Sequence, residues 1–340
     1  MTHTEPKPET GLEPNNTRWS RITAAALKLE GKDVTLQLLA GGVNNSVYKV
    51  HITKGALNQE DPLLDPLGNS AINHSASRAT SFVLRVPAPG KSLMSYGAIG
   101  SNHIKSRFQQ FAISGHCPRT LELDLPEGAI LCDYVPGRVA KFPEDMSLIT
   151  HSLAKLHTSR MTQNDSLHSP QASEHNSISY KTMAKVVNER IKMLDAIGLD
   201  AASCQIIRQL VDECLDAPID KITAYEQNPT TPIFPILKDA NPSNFIIKDG
   251  DANSKQRAIV VDIEGDFYGM PIIDVGHSSL FSACLWAYEG ISPLPASDIV
   301  KLYEEYYEHL ATLHGNKFAT RARVPRDIII SVRYATLGRC

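Results

Sequence analysis

At 340 residues the chain is long enough for two lobes and a large hydrophobic core. Its formal net charge of −3 argues against a nucleic-acid partner, which would call for a strongly basic face. No run of about 18 apolar residues occurs, so no membrane-spanning helix and no membrane partner are expected. The first 16 residues contain Pro6, Pro8 and Pro14 and lack the apolar core of a signal peptide, and they read as a disordered leader.

From there the first lobe is expected over 17–133. The spacing of Ile22, Ala25, Ala26 and Leu29 predicts a helix over 18–29. A strand follows at 34–39, then Gly41-Gly42-Val43-Asn44-Asn45, then an alternating strand at 46–52. Residues 53–80, rich in Asn, Ser, Asp and Pro, read as a mobile insertion. A third strand at 81–86 is stopped by Pro87-Ala88-Pro89-Gly90. A helix at 102–113 and strands near 120–123 and 129–135 complete a five-stranded antiparallel sheet with one main helix.

The second lobe, 134–340, is expected to be mostly helical. Helices are predicted at 143–159, 180–197, 203–215, 274–288, 296–313 and 327–334, with a loop over 163–177. Two short strands, 245–247 and 258–262, interrupt the run. A sheet-rich first third followed by a helical remainder is an α+β, two-lobed pattern, and no internal repeat is present. The six cysteines (117, 132, 204, 214, 284 and 340) form no C-x-x-C pair and no zinc-ligand spacing. They read as buried small hydrophobes in a reducing compartment, so a cytoplasmic location is expected. No helix-capping signal precedes Cys340, so the C-terminal end is expected to be frayed or to continue beyond it.

The chemistry concentrates between Leu237 and Asp274. Asp239 precedes Asn244 by five positions, on a loop leading into an apolar strand. Asp262 closes the second apolar strand, Ile259-Val260-Val261. Phosphoryl transfer needs these groups: one carboxylate to orient a hydroxyl and accept its proton, and an amide oxygen with a second carboxylate to hold magnesium against phosphates. Glu264, two residues on, faces the same side as Asp262 if the strand persists. Asp, Asn, Pro and Ser are also ordinary turn formers, so the Asp239–Asn244 pair alone leaves both readings open.

Leu-Lys-Asp-Ala-Asn-Pro-Ser-Asn-Phe-Ile-Ile (237–247) resembles the catalytic loop of aminoglycoside phosphotransferases and choline kinases. Val-Val-Asp-Ile-Glu-Gly-Asp-Phe-Tyr-Gly-Met-Pro-Ile-Ile-Asp-Val-Gly (260–276) resembles their metal-binding segment. Residues 39–48 look like their nucleotide loop, Phe82-Val83-Leu84-Arg85 like the strand carrying a phosphate-contacting base, 131–137 like the hinge, and Leu153-Ala154-Lys155-Leu156-His157 like a large-lobe helix motif. The motifs keep the family's order from about Leu38 to Leu280.

The resemblance implies a protein-kinase-like fold and an ATP- and magnesium-dependent transfer of the γ-phosphoryl group to a small-molecule hydroxyl. It makes Asp239 the catalytic base, Asn244 and Asp262 magnesium ligands with Glu264 assisting, and Asp274 a buried brace. Asp274 also suits an N-cap of the following helix. Gly41, Gly42 and Asn45 would approach the phosphates, Arg85 would contact them, and the adenine would lie near Asp133 to Val135. Adjacent glycines also suit a plain hairpin turn, and an Arg in a strand a solvated face.

Three positions depart from the family. Leu237 stands where a His usually supports the loop, Asn241 replaces a frequent His or Gln, and no Asp or Glu occurs between Lys91 and Cys117 to pair with Arg85. The three oxygen groups are intact, which favours activity. A second reading is a pseudokinase that holds nucleotide and regulates a partner. A protein kinase is disfavoured, because no Ala-Pro-Glu follows Asp262 before Asp274. For the acceptor, the helix around Tyr303, Glu304 and Tyr307, with Trp286, offers aromatics and carboxylates to a cationic amine. Tyrosines in the core with glutamates in water is the competing reading. Aminoglycosides, choline-like amino alcohols and amino-acid-like alcohols all remain as acceptors, and the oligomeric state is not specified.

Overall fold

The computed structural model describes residues 15–41, 45–53, 81–87, 101–121, 123–159, 179–192, 200–212, 218–228, 231, 233–250, 256–263, 267–284, 295–329 and 332. Residues 1–14 of the leader, nearly all of the 53–80 insertion and the 163–177 loop fall outside them, while Asn15 and Asn16 open the first helix. The chain divides into two compact units: Met1–Asn102 with Arg119–Tyr134, and His103–Pro118 with Val135–Cys340.

The first unit is a four-stranded antiparallel sheet under one helix. Its strands are β1 (Val34–Gly41), β2 (Asn45–Ile52), β3 (Ser81–Pro87) and β4 (Ile130–Asp133), in that spatial order. Alternation puts Tyr48 and Val50 of β2 and Phe82, Leu84 and Val86 of β3 on the buried face. Helix α1 (Asn15–Ala26) lays Trp19 and Ala24, with Leu27 just past its end, on the same core. Leu39 is an extra residue in β1: Leu38 pairs with Tyr48 and Ala40 with Val47. The expected fifth strand near 120–123 is a single bridge, Thr120 with Cys132. There the chain turns on itself, the Leu123 N–H bonding the Leu121 carbonyl, before the Pro126–Gly128 turn.

The second unit takes α2 (Ser101–Ala112) almost whole, although the sequence pattern places that helix with the first lobe. The reason is Arg107. The residue is 1% exposed, and its guanidinium donates to Gln110 Oε1 (2.8 Å) and the Phe267 carbonyl (3.3 Å) and stacks 4.7 Å from the Tyr268 ring. A buried guanidinium is stable only where its donors and faces are occupied, so it ties α2 to this unit.

The rest of the unit comprises β5 (Arg138–Val139), α3 (Met146–His157), α4 (Tyr180–Ile191), α5 (Ala201–Val211), α6 (Ile219–Gln227), β6 (Phe234–Ile236), β7 (Phe245–Lys248), β8 (Arg257–Val260), β9 (Phe267–Gly269), α7 (Ile272–Cys284), α8 (Ala296–His314) and α9 (Asn316–Ala322). Its strands form two small antiparallel sheets, β5-β7-β8 and β6-β9. β5, β6, β9, α6 and α9 are absent from the sequence expectations, because two to nine residues are too few to show a period. Helix α3 packs on α8 and α7, burying Ile149, Leu153 and Leu156 with Tyr306 and Leu310. Gly137 is required between β5 and its neighbour: a Cβ there would lie 2.3 Å from the Ile247 carbonyl oxygen. Among the described residues no helix is long and apolar enough to cross a membrane, and the side chains of Cys117, Cys132 and Cys204 are buried.

A histidine cluster joins three elements of this unit. The His151 and His309 rings are 4.6 Å apart, edge to face, and His116 lies 5.5 Å from His151. His116 Nδ1 donates to the Ala258 carbonyl at 2.9 Å. Burial pulls the His116 pKa down to about 3, and burial with the neighbouring His309 pulls His151 to about 4. A depressed folded pKa means that the unfolded chain binds the proton first. Stability is therefore intact above the ordinary value near 6.5 and falls with pH toward the folded value. For His116 alone the loss is about 3 kcal/mol at about pH 4. We expect His116→Asn, which keeps an N–H for Ala258, to lose less stability than wild type between pH 7 and pH 4 by about that amount. Urea denaturation at the two pH values checks it, and equal losses contradict it.

Candidate functional site

The loop after β6 is fixed by a buried polar chain. Lys238 adopts a left-handed backbone, φ +68°, which a Cβ-bearing residue holds only when its surroundings impose it. Asp274, in the first turn of α7, imposes it. Its carboxylate is fully buried and accepts the Leu237 N–H at 2.7 Å and the Lys238 N–H at 2.9 Å. His157 Nε2 donates to Asp274 Oδ2 at 3.0 Å, and Tyr306 Oη donates to His157 Nδ1 at 2.8 Å. Burial raises the Tyr306 phenol well above its ordinary pKa, so it stays protonated and donates. One carboxylate thus satisfies three donors from α3 and the loop, and the tyrosine on α8 orients the histidine. The Lys238 ammonium lies 4.4 Å from the Phe267 ring centre.

Asp239 follows, its side chain one quarter exposed. The Asn241 side-chain oxygen accepts the Ser243 N–H at 3.0 Å, capping the Pro242–Asn244 turn. That turn carries Asn244 back beneath Asp239, and Asn244 Nδ2 donates to the Asp239 carbonyl at 3.1 Å. The amide nitrogen is engaged, which leaves the Asn244 Oδ1 to accept or ligate. The Val261 N–H donates to the Asn244 carbonyl at 2.8 Å, extending the β7–β8 ladder whose last pair is Phe245 with Val260. Asn244 is therefore opposite Val261, one residue from Asp262. The pairing brings residues 239, 244 and 262 to one end of the β7–β8 hairpin.

Among the described residues no three His, Cys, Asp or Glu side chains gather as a metal site. The set here is an amide oxygen and a carboxylate, hard oxygens in the small number that suits magnesium completed by water and phosphate. Glu264 lies outside the described residues, as do Gly42 and the side chain of Asn45.

The other nucleotide-site candidates belong to the first unit, apart from Val135. Gly41 closes β1 opposite Ser46. Arg85 is buried in β3, in register with Val47 and Ile130, and is not on a solvated face. Beside it, burial pushes the Cys132 thiol up to about 12. Asp133 pairs with Arg119 at 2.8 Å. Val135, half-buried, opens the second stretch of the second unit.

The acceptor face expected on α8 is corrected. Tyr303 and Tyr307 are 3% and 2% exposed and belong to the core. Tyr307 Oη accepts the Val324 N–H at 3.0 Å, and the cation over its ring is the chain's own Arg323, 4.6 Å away. Glu304 pairs with that same Arg323 at 2.8 Å, which holds its carboxyl below the usual range. Tyrosines at i and i+4 fit a buried stripe as well as a binding face, and the packing chose the stripe. Trp286 lies outside the described residues.

One contact is missing from the sequence expectations. His277, one turn after Asp274 on α7 and 3% exposed, places Nδ1 at 3.6 Å from Asp239 Oδ1. The signal available was its i+3 spacing from Asp274.

No protein-family model matches the chain, and no curated protein matches it. Solved structures do. The choline kinase from Cryptosporidium parvum Iowa II is 10% identical, with 90% of this chain and 82% of that one covered at a TM-score of 0.53. A Plasmodium vivax ethanolamine kinase is 13% identical, covering 90% and 74% at 0.50. A microcompartment-associated aminopropanol kinase is 12% identical, covering 94% of each chain at 0.50. At these identities the likeness is one of fold: kinase-like, with a small antiparallel sheet and many helices.

Proposed function

We propose that the chain is an ATP- and magnesium-dependent phosphotransferase whose acceptor is the hydroxyl of a small amine-bearing alcohol. The observation that carries this reading is the loop itself: Asp239 and Asn244 bound to each other on a turn braced by Asp274, with Asp262 at the adjoining strand end. The fold supports it, since the similar structures described are kinases named for choline, ethanolamine and aminopropanol.

Asp239 orients the acceptor hydroxyl and takes its proton. As the new O–P bond forms, the bond from the γ-phosphorus to its bridging oxygen breaks, and ADP leaves with that electron pair. Asn244 Oδ1 and Asp262, with Glu264, would hold magnesium, which neutralises phosphate charge when bound. Gly41, Gly42, Asn45 and Arg85 would receive the phosphates, and Asp133 and Val135 the adenine. Catalysis of this kind is mostly positioning and electrostatics. The brace at Asp274 supplies the first, by fixing the backbone immediately before the base.

The test is ADP formation by the purified full chain with choline, ethanolamine, aminopropanol and a set of aminoglycosides. The expected result is ADP release that depends on one acceptor class, yields the phosphorylated alcohol, and stops when EDTA removes magnesium. Tight ATP binding with no acceptor-dependent ADP across the set overturns the reading in favour of a nucleotide-holding module.

A further inference from the structure

The first turn of α7 reaches the loop at two places. Asp274 holds the backbone N–H groups of Leu237 and Lys238, and His277, on the same helix face, reaches the carboxylate of the next residue, Asp239. The imidazole is almost fully buried, whereas the Asp239 side chain keeps a quarter of its surface open. His277 therefore sits behind the carboxylate, on its protein side. The Nδ1–Oδ1 separation of 3.6 Å is longer than a hydrogen bond, as bonds to a catalytic base often are before substrate is bound. At position 237, where the resembled family carries a supporting His, this chain has a buried leucine. Here the helix that holds the loop through Asp274 also brings His277 to Asp239.

We propose that His277 is a positioning residue for Asp239: its Nδ1–H faces Oδ1, fixes the carboxylate's rotation, and leaves Oδ2 for the acceptor hydroxyl. Given the phosphotransferase reading, the acceptor proton passes to Asp239 Oδ2 as the O–P bond forms and the bond to ADP breaks. His277 keeps its proton throughout and receives none. Its effect falls on the productive orientation of the base, so it enters turnover and not nucleotide affinity.

Two measurements decide it. In the full chain labelled with 15N-histidine, the His277 signal, assigned by its loss in His277→Asn, is expected as a protonated Nδ1 that shifts in Asp239→Ala. An unchanged signal overturns the contact. In kinetics, His277→Phe is expected to lower kcat roughly 10- to 100-fold with the KM for ATP unchanged, and His277→Asn, which restores an N–H, to recover most of it. Wild-type kcat in His277→Phe, or loss in both variants alike, overturns the positioning role. Absence of wild-type turnover on every acceptor counts against the phosphotransferase reading alone, because the spectroscopic arm judges the His277–Asp239 contact without turnover.

Discussion

Asp239→Ala is expected to lower acceptor-dependent ADP formation by roughly 10³-fold, the scale on which a positioned base contributes. The side chain is partly exposed, and the bond from Asn244 goes to the Asp239 backbone carbonyl, which alanine retains. The loop therefore keeps its fold, and ATP affinity is expected to stay within about threefold of wild type, since the base is not among the proposed phosphate ligands. Asp239→Asn keeps the shape and removes the proton acceptor, so it is expected to fall as far as alanine. Steady-state kinetics beside a nucleotide-binding titration check both. Turnover within tenfold of wild type in either variant would remove Asp239 from the chemistry.

The residues that allow this prediction were largely legible in the sequence, for physical reasons. Asn244 and Asp262 flank apolar strands, so short-range pattern places them at strand ends, with Asp239 on the loop leading into the first of them. The β7–β8 register is seen in the structure, where Phe245 pairs with Val260 and the Val261–Asn244 bond extends the ladder. Strand β2 was readable from the alternation of its buried Tyr48 and Val50 with less buried neighbours, and β1 and β3 from their apolar runs. The α8 tyrosines were not. A stripe of tyrosines with glutamates between them looks alike whether it faces a ligand or a core, and only the packing against α3 and the Arg323 stack separates the cases.

The non-local contacts lay beyond the sequence for a different reason. Helix α2 carries no glutamate that could pair with Arg85. The helix carries instead Arg107, whose partners come from Gln110 and from β9, far along the chain. His277 is silent in the same way. Its meaning depends on the rotation of α7, which Asp274 sets by binding the backbone N–H groups of Leu237 and Lys238, 37 and 36 residues earlier in the chain but adjacent in space.

Asp274→Ala is expected to destabilise the second unit by about 5 kcal/mol. The substitution strands the buried Leu237 backbone N–H and the part-buried Lys238 N–H, together with the buried His157 Nε2–H. Each orphaned donor costs about 1–3 kcal/mol, and the site is too enclosed for water to replace the carboxylate without rearrangement. The left-handed Lys238 would also lose its restraint, and relaxing it moves the base that follows. Asp274→Asn keeps one acceptor oxygen but turns an amide N–H toward a donor, so it is expected to lie between alanine and wild type. Urea denaturation followed by far-UV circular dichroism reads the order. A loss below about 1 kcal/mol for alanine would show that the loop is held by something other than this carboxylate.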